Sequence, residues 1–348
     1  MSKIKISVIT PIYNAENFVE RGITCLLCQT FQDFEIIAVD DGSLDLSGKI
    51  LDSLAQKDSR LKVIHKQNEG VGKARNDGMR YAKGDYIYFM DIDDILEPNF
   101  FEEAQRLLHY TSPDLLMFGF KVSDNNILDI VQISDKYISC REELSSCYTQ
   151  DFFKVRYGCG FLWNKIYKRH IIEDNHIVFS SYRVLEDELF NIEYMKYVET
   201  AYLCNKPFYT YFLNNGGNSR SKYLPNMLEI LESVYISFLN LRNYLNVCDT
   251  IFLDHLNNRT FNAIMNWCRQ HAFHHNNTLR YTEKKEQLKT LRENTMWKQI
   301  YEYTSHNPIS IEHRLYTHAI QLASVCQLLI SVKTYSFIRT ILNKIRHA

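Results

Sequence analysis

Asp91, Asp93 and Asp94 place three carboxylates within four positions, directly after the apolar run Tyr86-Ile87-Tyr88-Phe89-Met90. Carboxylates this close repel one another and raise each other's pKa. A hard divalent cation such as Mg²⁺ or Mn²⁺ turns that repulsion into ligation by oxygen. At the carboxyl end of a sheet strand, where open α/β folds bind their ligands, the cluster reads as a metal-assisted phosphate site. The same residues also fit a solvated acidic turn ahead of a helix start at Glu97-Pro98-Asn99.

Three further stretches carry chemistry. Ser7-Val8-Ile9-Thr10-Pro11-Ile12-Tyr13-Asn14 ends a strand in a rigid, flat wall, where Tyr13 could stack on a nucleobase and Asn14 could cap the next helix. Val39-Asp40-Asp41-Gly42-Ser43 brings a second acidic pair to the same sheet edge, with Asp40 suited to accept the N–H of a uracil-like base and Ser43 or Asp45 to cap a helix. Asn68-Glu69-Gly70-Val71-Gly72-Lys73-Ala74-Arg75-Asn76 is glycine-rich and basic and precedes a helix, so its backbone N–H groups could cradle phosphate with Arg75 neutralising charge. It is no dinucleotide fingerprint, because Arg75 stands where the third glycine belongs, and it lacks the Gly-Lys-Ser/Thr ending of a P-loop.

The elements that must position these residues alternate through the first ~120 residues, as in a mostly parallel sheet covered by helices. Strands are expected at 4–10, 34–39, 61–65, 85–90 and 115–120. Phe18, Val19, Ile23, Leu26 and Leu27 recur at helical spacing, as do Ile50, Leu51, Leu54 and Ala55. This is a Rossmann-like α/β domain. From 121 to 215 the pattern suggests a hairpin at 122–133, an aromatic segment at 161–167 and a helix opening near Glu186, all assigned to the same catalytic domain of residues 1–215. Gly216-Gly217 marks a hinge, and Met227, Ile230, Leu231, Val234, Tyr235 and Phe238 open a helical C-terminal domain of residues 216–348. Its last segment, 333–348, sets Phe337, Ile338, Ile341, Leu342 and Ile345 against Lys333, Arg339, Lys344 and Arg346. That arrangement fits a helix lying on an anionic membrane surface, or a terminal helix packed on its own domain.

With 40 Lys plus Arg against 41 Asp plus Glu, no global field draws the chain to nucleic acid. No secretory signal opens the sequence and no apolar stretch reaches the ~18 residues that span a bilayer, so a cytoplasmic address is expected. Nine cysteines form no disulfide framework, and Cys25-Leu26-Leu27-Cys28 reads as buried structural cysteine on a helix rather than a redox or zinc pair.

Taken together, the four stretches resemble the glycosyltransferase family 2 enzymes, which have an A-type glycosyltransferase fold. A weaker match continues through Trp163-Asn164-Lys165-Ile166-Tyr167-Lys168-Arg169, Leu185-Glu186-Asp187-Glu188, Tyr209-Thr210-Tyr211 and Ser219. The resemblance implies transfer of a sugar, with inversion, from a nucleoside diphosphate donor, and a uridine diphosphate donor is expected. It implies a glycan or lipid-linked acceptor in surface polysaccharide synthesis at the inner face of a membrane. Pro11, Tyr13 and Asp40 would hold the base, and Thr10 and Ile92 would also belong to the donor site. Glu16 and Arg75 would frame the donor, Asp91 would meet the ribose or the metal, and Asp93 would ligate Mn²⁺ or Mg²⁺ directly. Asp187 would be the base that deprotonates the acceptor, with Glu186 and Glu188 as near rivals, while Trp163, Lys165 and Glu186 would face the acceptor. Ile92 and Leu44 replace residues that the family often has as small polar and threonine, and 211–221 lacks the histidine that some relatives give to the metal.

Two other readings compete. Asp91-Ile92-Asp93 imitates the Asp-x-Asp of phosphatases resembling haloacid dehalogenases, which carry it on their first strand. A nucleotide-sugar-binding or membrane-assembly module without catalysis would keep the fold, but leaves Asp187 without a task.

Overall fold

The structure is a computed structural model that describes residues 5–124, 127–149, 160–213, 224–248, 250–273 and 278–306, with isolated positions after these. The hinge at Gly216-Gly217, most of 211–221 and the tail at 333–348 lie outside the described residues.

Strands β1 (Ile6–Ile12), β2 (Phe34–Asp40), β3 (Leu61–His65) and β4 (Tyr86–Phe89) alternate with helices α1 (Glu16–Leu27), α2 (Ser47–Ala55) and α3 (Val71–Tyr81). Next come β5 (Ile95–Leu96), α4 (Phe100–Thr111), β6 (Leu115–Asp124), β7 (Ile127–Val131), β8 (Lys136–Ile138) and α5 (Arg141–Cys147). Then follow β9 (Lys165–Lys168), α6 (Arg169–Asp174), α7 (Glu186–Met195) and β10 (Ala201–Phe212). The strands form one mixed sheet in the order β3-β2-β1-β4-β9-β6-β10-β5, with β7 beside β6 and β8 beside β10. β1 pairs in parallel with both β2 and β4, and β9 enters antiparallel between β4 and β6. The expected hairpin is β6–β7.

Strand alternation assigns each side chain to a face. Ile6, Val8, Ile12, Ile36, Ala38, Tyr88, Met90 and Ile92 join the core under α1 and α2 with Val19, Ile23, Leu26 and Leu51. Ile9 and Val39 point to the other face, where Gly78 lets α3 come so close that a Cβ would lie 2.5 Å from Ile9 Cγ2. Each such apolar side chain contributes about 1.5–3 kcal/mol on burial, so the register of β1, β2 and β4 is strongly set.

The two loops that open α1 and α2 cap each other. Ala15 N–H donates to Ser47 Oγ at 2.8 Å, and the Asp45 carboxylate accepts from both Glu16 N–H and Ser47 N–H. Asn14 is not the cap expected for α1. It sits before the helix with a left-handed φ of 48°, and its Oδ1 takes Leu44 N–H instead. Of the two helical cysteines, Cys25 is half-buried with its Sγ 3.2 Å from Leu96 N and O, whereas Cys28 is exposed, which corrects the expectation for that residue.

The chain divides into two compact units, one of residues 1–220 with 239–247 and one of 221–238 with 248–348. The division falls within α8 (Met227–Tyr244). In the second unit α9 (Ile251–Phe273), α10 (Tyr281–Glu293) and α11 (Thr295–His306) bury Phe252, Leu256, Phe261, Ile264, Leu288, Leu291, Trp297 and Ile300. Among the described residues no helix is long and apolar enough to cross a membrane.

Candidate active site

Beyond the end of β4 the acidic run forms a turn in which Ile92 enters the core while Asp91 and Asp93 are only partly buried. Ile92 is 6% exposed and lies over α1, where a Cβ on Gly22 would come 2.4 Å from its carbonyl oxygen and 2.7 Å from its Cδ1. Ile92 is therefore an apolar anchor for the loop and not the donor contact expected of it. Gly22→Ala is expected to press on this backbone, costing about 1–3 kcal/mol as overpacking does. The displaced Asp91 and Asp93 should lower activity beyond what the lost stability explains, which thermal melts paired with rates would measure.

Asp94 is 1% exposed and turns away from solvent, where Tyr209 O–H donates to it at 2.6 Å and Phe212 N–H at 3.0 Å. Burial, then the charges of Asp93 and Asp91, push its carboxyl well above the usual range. It ties the loop to the end of β10. Arg21 of α1 donates to the Asp93 carbonyl from the other side, its guanidinium lying over the Phe212 ring. Asp93 itself is pushed up to about 6, first by burial and then by the charge on Asp91. An acid held that high beside a second carboxylate is the electrostatic condition that a cation relieves.

Arg75 joins this loop to α7. Its Nη2 donates to Asp91 Oδ1 at 3.1 Å and its Nη1 to Glu186 Oε1 at 2.9 Å, with the guanidinium 5.5 Å from the Phe179 ring centre. The side chain is 8% exposed, so it does not reach out as the free phosphate ligand that its sequence setting suggested. Burial opposes its charge, but Asp91, Glu186 and Asp187 outweigh that and raise its pKa. Asp187 follows Glu186 in the first turn of α7, half-buried, with Glu188 N–H donating to its Oδ1 at 2.8 Å. Burial first, and then the neighbouring Glu186, lift the Asp187 carboxyl to about 7. The residue before them, Leu185, has φ 60°, a left-handed conformation that costs a branched side chain on the order of 1–2 kcal/mol.

The two acidic residues of the second pair part company. Asp40 shares the α2 face with Ala38 and Ile36. Its Oδ2 meets His65 Nδ1 at 2.8 Å, its Oδ1 accepts Ser43 N–H, and a Cβ on Gly48 of α2 would lie 2.9 Å from that Oδ2. The His65 ring also reaches Asp52 at 3.1 Å, and these two hydrogen bonds raise its pKa. Asp40 thus faces away from Arg75, and the expectation that it holds the base is corrected. Asp41, one residue on, takes the other face. Its carboxylate accepts Glu69 N–H at 3.0 Å and Gly70 N–H at 2.8 Å, at the start of the helix that carries Arg75. Those N–H groups are therefore already engaged by a carboxylate and do not form an open phosphate cradle. The period-2 pattern of β2 would have separated the two acids in the sequence: Ile36 and Ala38 share parity with Asp40, Ile37 and Val39 with Asp41.

Of the other expected residues, Tyr13 is half exposed, Pro11 lies at the strand end, and Glu16 accepts Leu46 N–H at 2.9 Å. Thr10 is fully buried, its Oγ1 without a hydrogen-bond partner, with the parity of the α1 and α2 face, so it does not offer its hydroxyl to a donor. Trp163 is 3% exposed, stacked 4.4 Å from Tyr209 and 4.4 Å from Phe161 and met edge-on by Phe120. Lys165 is buried with its Nζ on Phe161 O and Asn164 Oδ1. Both are internal supports, which corrects the expectation that they touch an acceptor. Glu186 is held by Arg75. Among the described residues no three His, Cys, Asp or Glu side chains converge as a metal cage.

The sequence profile of glycosyl transferase family 2 matches residues 7–174. The uncharacterized glycosyltransferase EpsJ of Bacillus subtilis is 32% identical over 241 residues, covering 68% of this chain and 70% of that protein. Glycosyltransferase GlyG of Streptococcus pneumoniae is 30% identical over 230 residues, covering 63% of this chain and 74% of its own. Among solved structures, residues 1–349 of S. aureus TarS in complex with UDP-GlcNAc superpose with a TM-score of 0.67 at 20% identity, over 96% of this chain and 92% of that one, which establishes a shared fold. An acidic loop after the fourth strand rather than the first, a buried arginine tying it to an acidic helix start, and relatives of this kind leave one assignment: the chain belongs to glycosyl transferase family 2 and is a glycosyltransferase.

Proposed function

We propose that this enzyme transfers a sugar from a uridine diphosphate donor, with inversion at the anomeric carbon and with a divalent cation, to a glycan or lipid-linked acceptor in surface polysaccharide or related glycoconjugate synthesis. The observation that carries the reading is the Arg75 bridge, which holds Asp91 and Glu186 on one guanidinium and so sets the Asp91–Asp93 loop and Asp187 on the same side of the sheet. TarS, whose fold this chain shares, binds UDP-GlcNAc, which supports a UDP-linked donor.

Asp91 and Asp93 fit a hard cation by donor type and by the repulsion between them. When bound, the cation supplies Lewis-acid neutralisation of the diphosphate that departs. The chain's own residues do the rest. Tyr13 offers an exposed ring beside Pro11 as a wall for the base. Asp41 lies on the α3 face and, with three hydrogen-bond partners on a carboxylate that has about four acceptor sites, keeps capacity for an imide N–H. Asp187 takes the proton of the acceptor hydroxyl as that oxygen bonds to the anomeric carbon and the bond from this carbon to the diphosphate oxygen breaks. A carboxylate near 7 suits this task, since a base works best when its pKa lies close to the working pH. Glu186, neutralised by Arg75, is the less suitable base.

A panel of UDP-, GDP-, CDP- and dTDP-linked sugars, scored by released nucleoside diphosphate with Mn²⁺ and with chelator, tests this reading. UDP-sugars are expected to lead, and chelation is expected to cost roughly a thousandfold in rate. Release that is indifferent to the cation, or strongest from a purine nucleotide, would refute it.

A further inference from the structure

Helix α3 meets the polypeptide that carries Asp187 at three positions of one face. Arg75 holds Glu186. Gly72 is where the chain comes closest: a Cβ there would lie 2.8 Å from Ser180 O, 3.3 Å from Phe179 Cβ and 3.4 Å from Glu186 Cγ. Asn76 makes the most specific contact, a closed pair of hydrogen bonds with one residue's backbone. Its Nδ2 donates to Phe179 O at 3.0 Å, and Phe179 N–H donates to its Oδ1 at 2.8 Å. A side-chain amide carries both a donor and an acceptor, so it satisfies a lone buried peptide much as a neighbouring strand would.

The side chain of the clamped residue is locked to α7. The Phe179 ring stacks on Phe190 at 4.2 Å and 5° and stands edge-on to Phe89 of β4 at 5.3 Å. The main chain of Phe179 is thus fixed by α3, and its ring by the helix whose first turn holds Asp187. Leu185, at the start of that helix, keeps a left-handed φ of 60°, which persists only where the surroundings over-determine the backbone.

We propose that Asn76 is a positioning residue for sugar transfer, clamping the Phe179 backbone so that α7 begins where its Asp187 carboxylate faces the Asp91–Asp93 side of the site. The inference rests on the reading of Asp187 as the base. It gives the Ala-Arg-Asn ending of the loop a division of labour: Ala74 is fully buried, Arg75 bridges the acidic groups, and Asn76 seats the segment around Phe179.

Asn76→Ala removes both bonds. Turnover of the UDP-sugar that the wild-type enzyme uses best is expected to fall about tenfold to a hundredfold, through kcat, as a misplacement near 1 Å does, with UDP affinity unchanged. The acid limb of the kcat profile should also move down from near pH 7, because loosening this segment admits water to Asp187. The titratable and charged groups that face Asp187, namely Glu186 and Glu188 on α7, Arg75 on α3 and Tyr167 on β9, are untouched by the substitution. A residue that only stabilised the fold would lower the melting temperature and leave that limb in place. Gly72→Ala provides a second route, pressing on Ser180 and Phe179 without altering Asn76, and the same split between kcat and UDP affinity is expected. A folded variant with wild-type kcat and acid limb overturns the proposal, and so does a loss of UDP affinity that parallels the loss of kcat. If the wild-type enzyme releases UDP from no donor, the underlying function fails instead.

Discussion

Asp187→Asn is expected to lower kcat by roughly 10²–10⁴-fold, the usual contribution of a positioned general base, while UDP affinity stays at the wild-type level. The amide keeps the size of the carboxylate and can still accept Glu188 N–H, so α7 should start in the same place. What it cannot do is take a proton from an acceptor hydroxyl. The wild-type profile should show kcat falling on the acid side with a midpoint close to 7, where Asp187 becomes protonated. The stability consequence runs the other way from an ordinary salt-bridged aspartate. Because the folded pKa lies above the unfolded value near 3.9, the folded chain holds a proton that the unfolded chain has released. Stability therefore falls as pH rises from about 4 through 7. The asparagine variant is free of that loss and should melt no lower than wild type at pH 8. Inactivity without destabilisation would separate a chemical role from a structural one; a variant with near-normal turnover would remove Asp187 from the role.

Asp93→Ala should have an effect of similar or greater size through a different quantity. Loss of the cation's hold on the leaving diphosphate is expected to cost several kcal/mol of barrier, roughly a thousandfold or more in rate. UDP binding should lose its dependence on Mn²⁺. The fold is expected to persist, because the carboxyl is held at about 6 by burial and by Asp91, an unfavourable arrangement that the alanine relieves. Its raised pKa likewise means a loss of stability between about pH 4 and 6 in the wild type, absent in the variant. Asp94→Ala would be a poor substitute for this test, since Asp94 holds Tyr209 and Phe212 and its removal would leave a buried hydroxyl and amide without their acceptor.

Much of this arrangement was legible in the sequence. The apolar run into Asp91-Ile92-Asp93-Asp94, the second acidic pair and the glycine-rich loop fix three loops at one sheet edge, because the strands they follow, β4, β2 and β3, all run parallel with β1 in one sheet. The errors share a cause. Residue type does not give orientation: in β2 strand parity sends Asp40 with Ala38 under α2 and Asp41 with Val39 under α3, and in the turn after β4 Ile92 joins the core. Trp163 and Lys165 were invisible for another reason. Trp163 meets Tyr209 and Phe120, and Lys165 pairs with Met117 of β6, partners distant in sequence that converge only when β9 inserts between β4 and β6. The bond between Asn76 and Phe179 spans 103 positions, and no local pattern announces it.

In the proposed mechanism labour is divided, with Asp93 serving the nucleotide and its cation and Asp187 serving only the acceptor. Calorimetric titration of UDP in the presence of Mn²⁺ into wild type, Asp93→Ala and Asp187→Asn tests it most directly. Asp187→Asn is expected to keep wild-type affinity, and Asp93→Ala to lose the Mn²⁺-dependent component. Equal loss in both variants, or loss in Asp187→Asn alone, would contradict it.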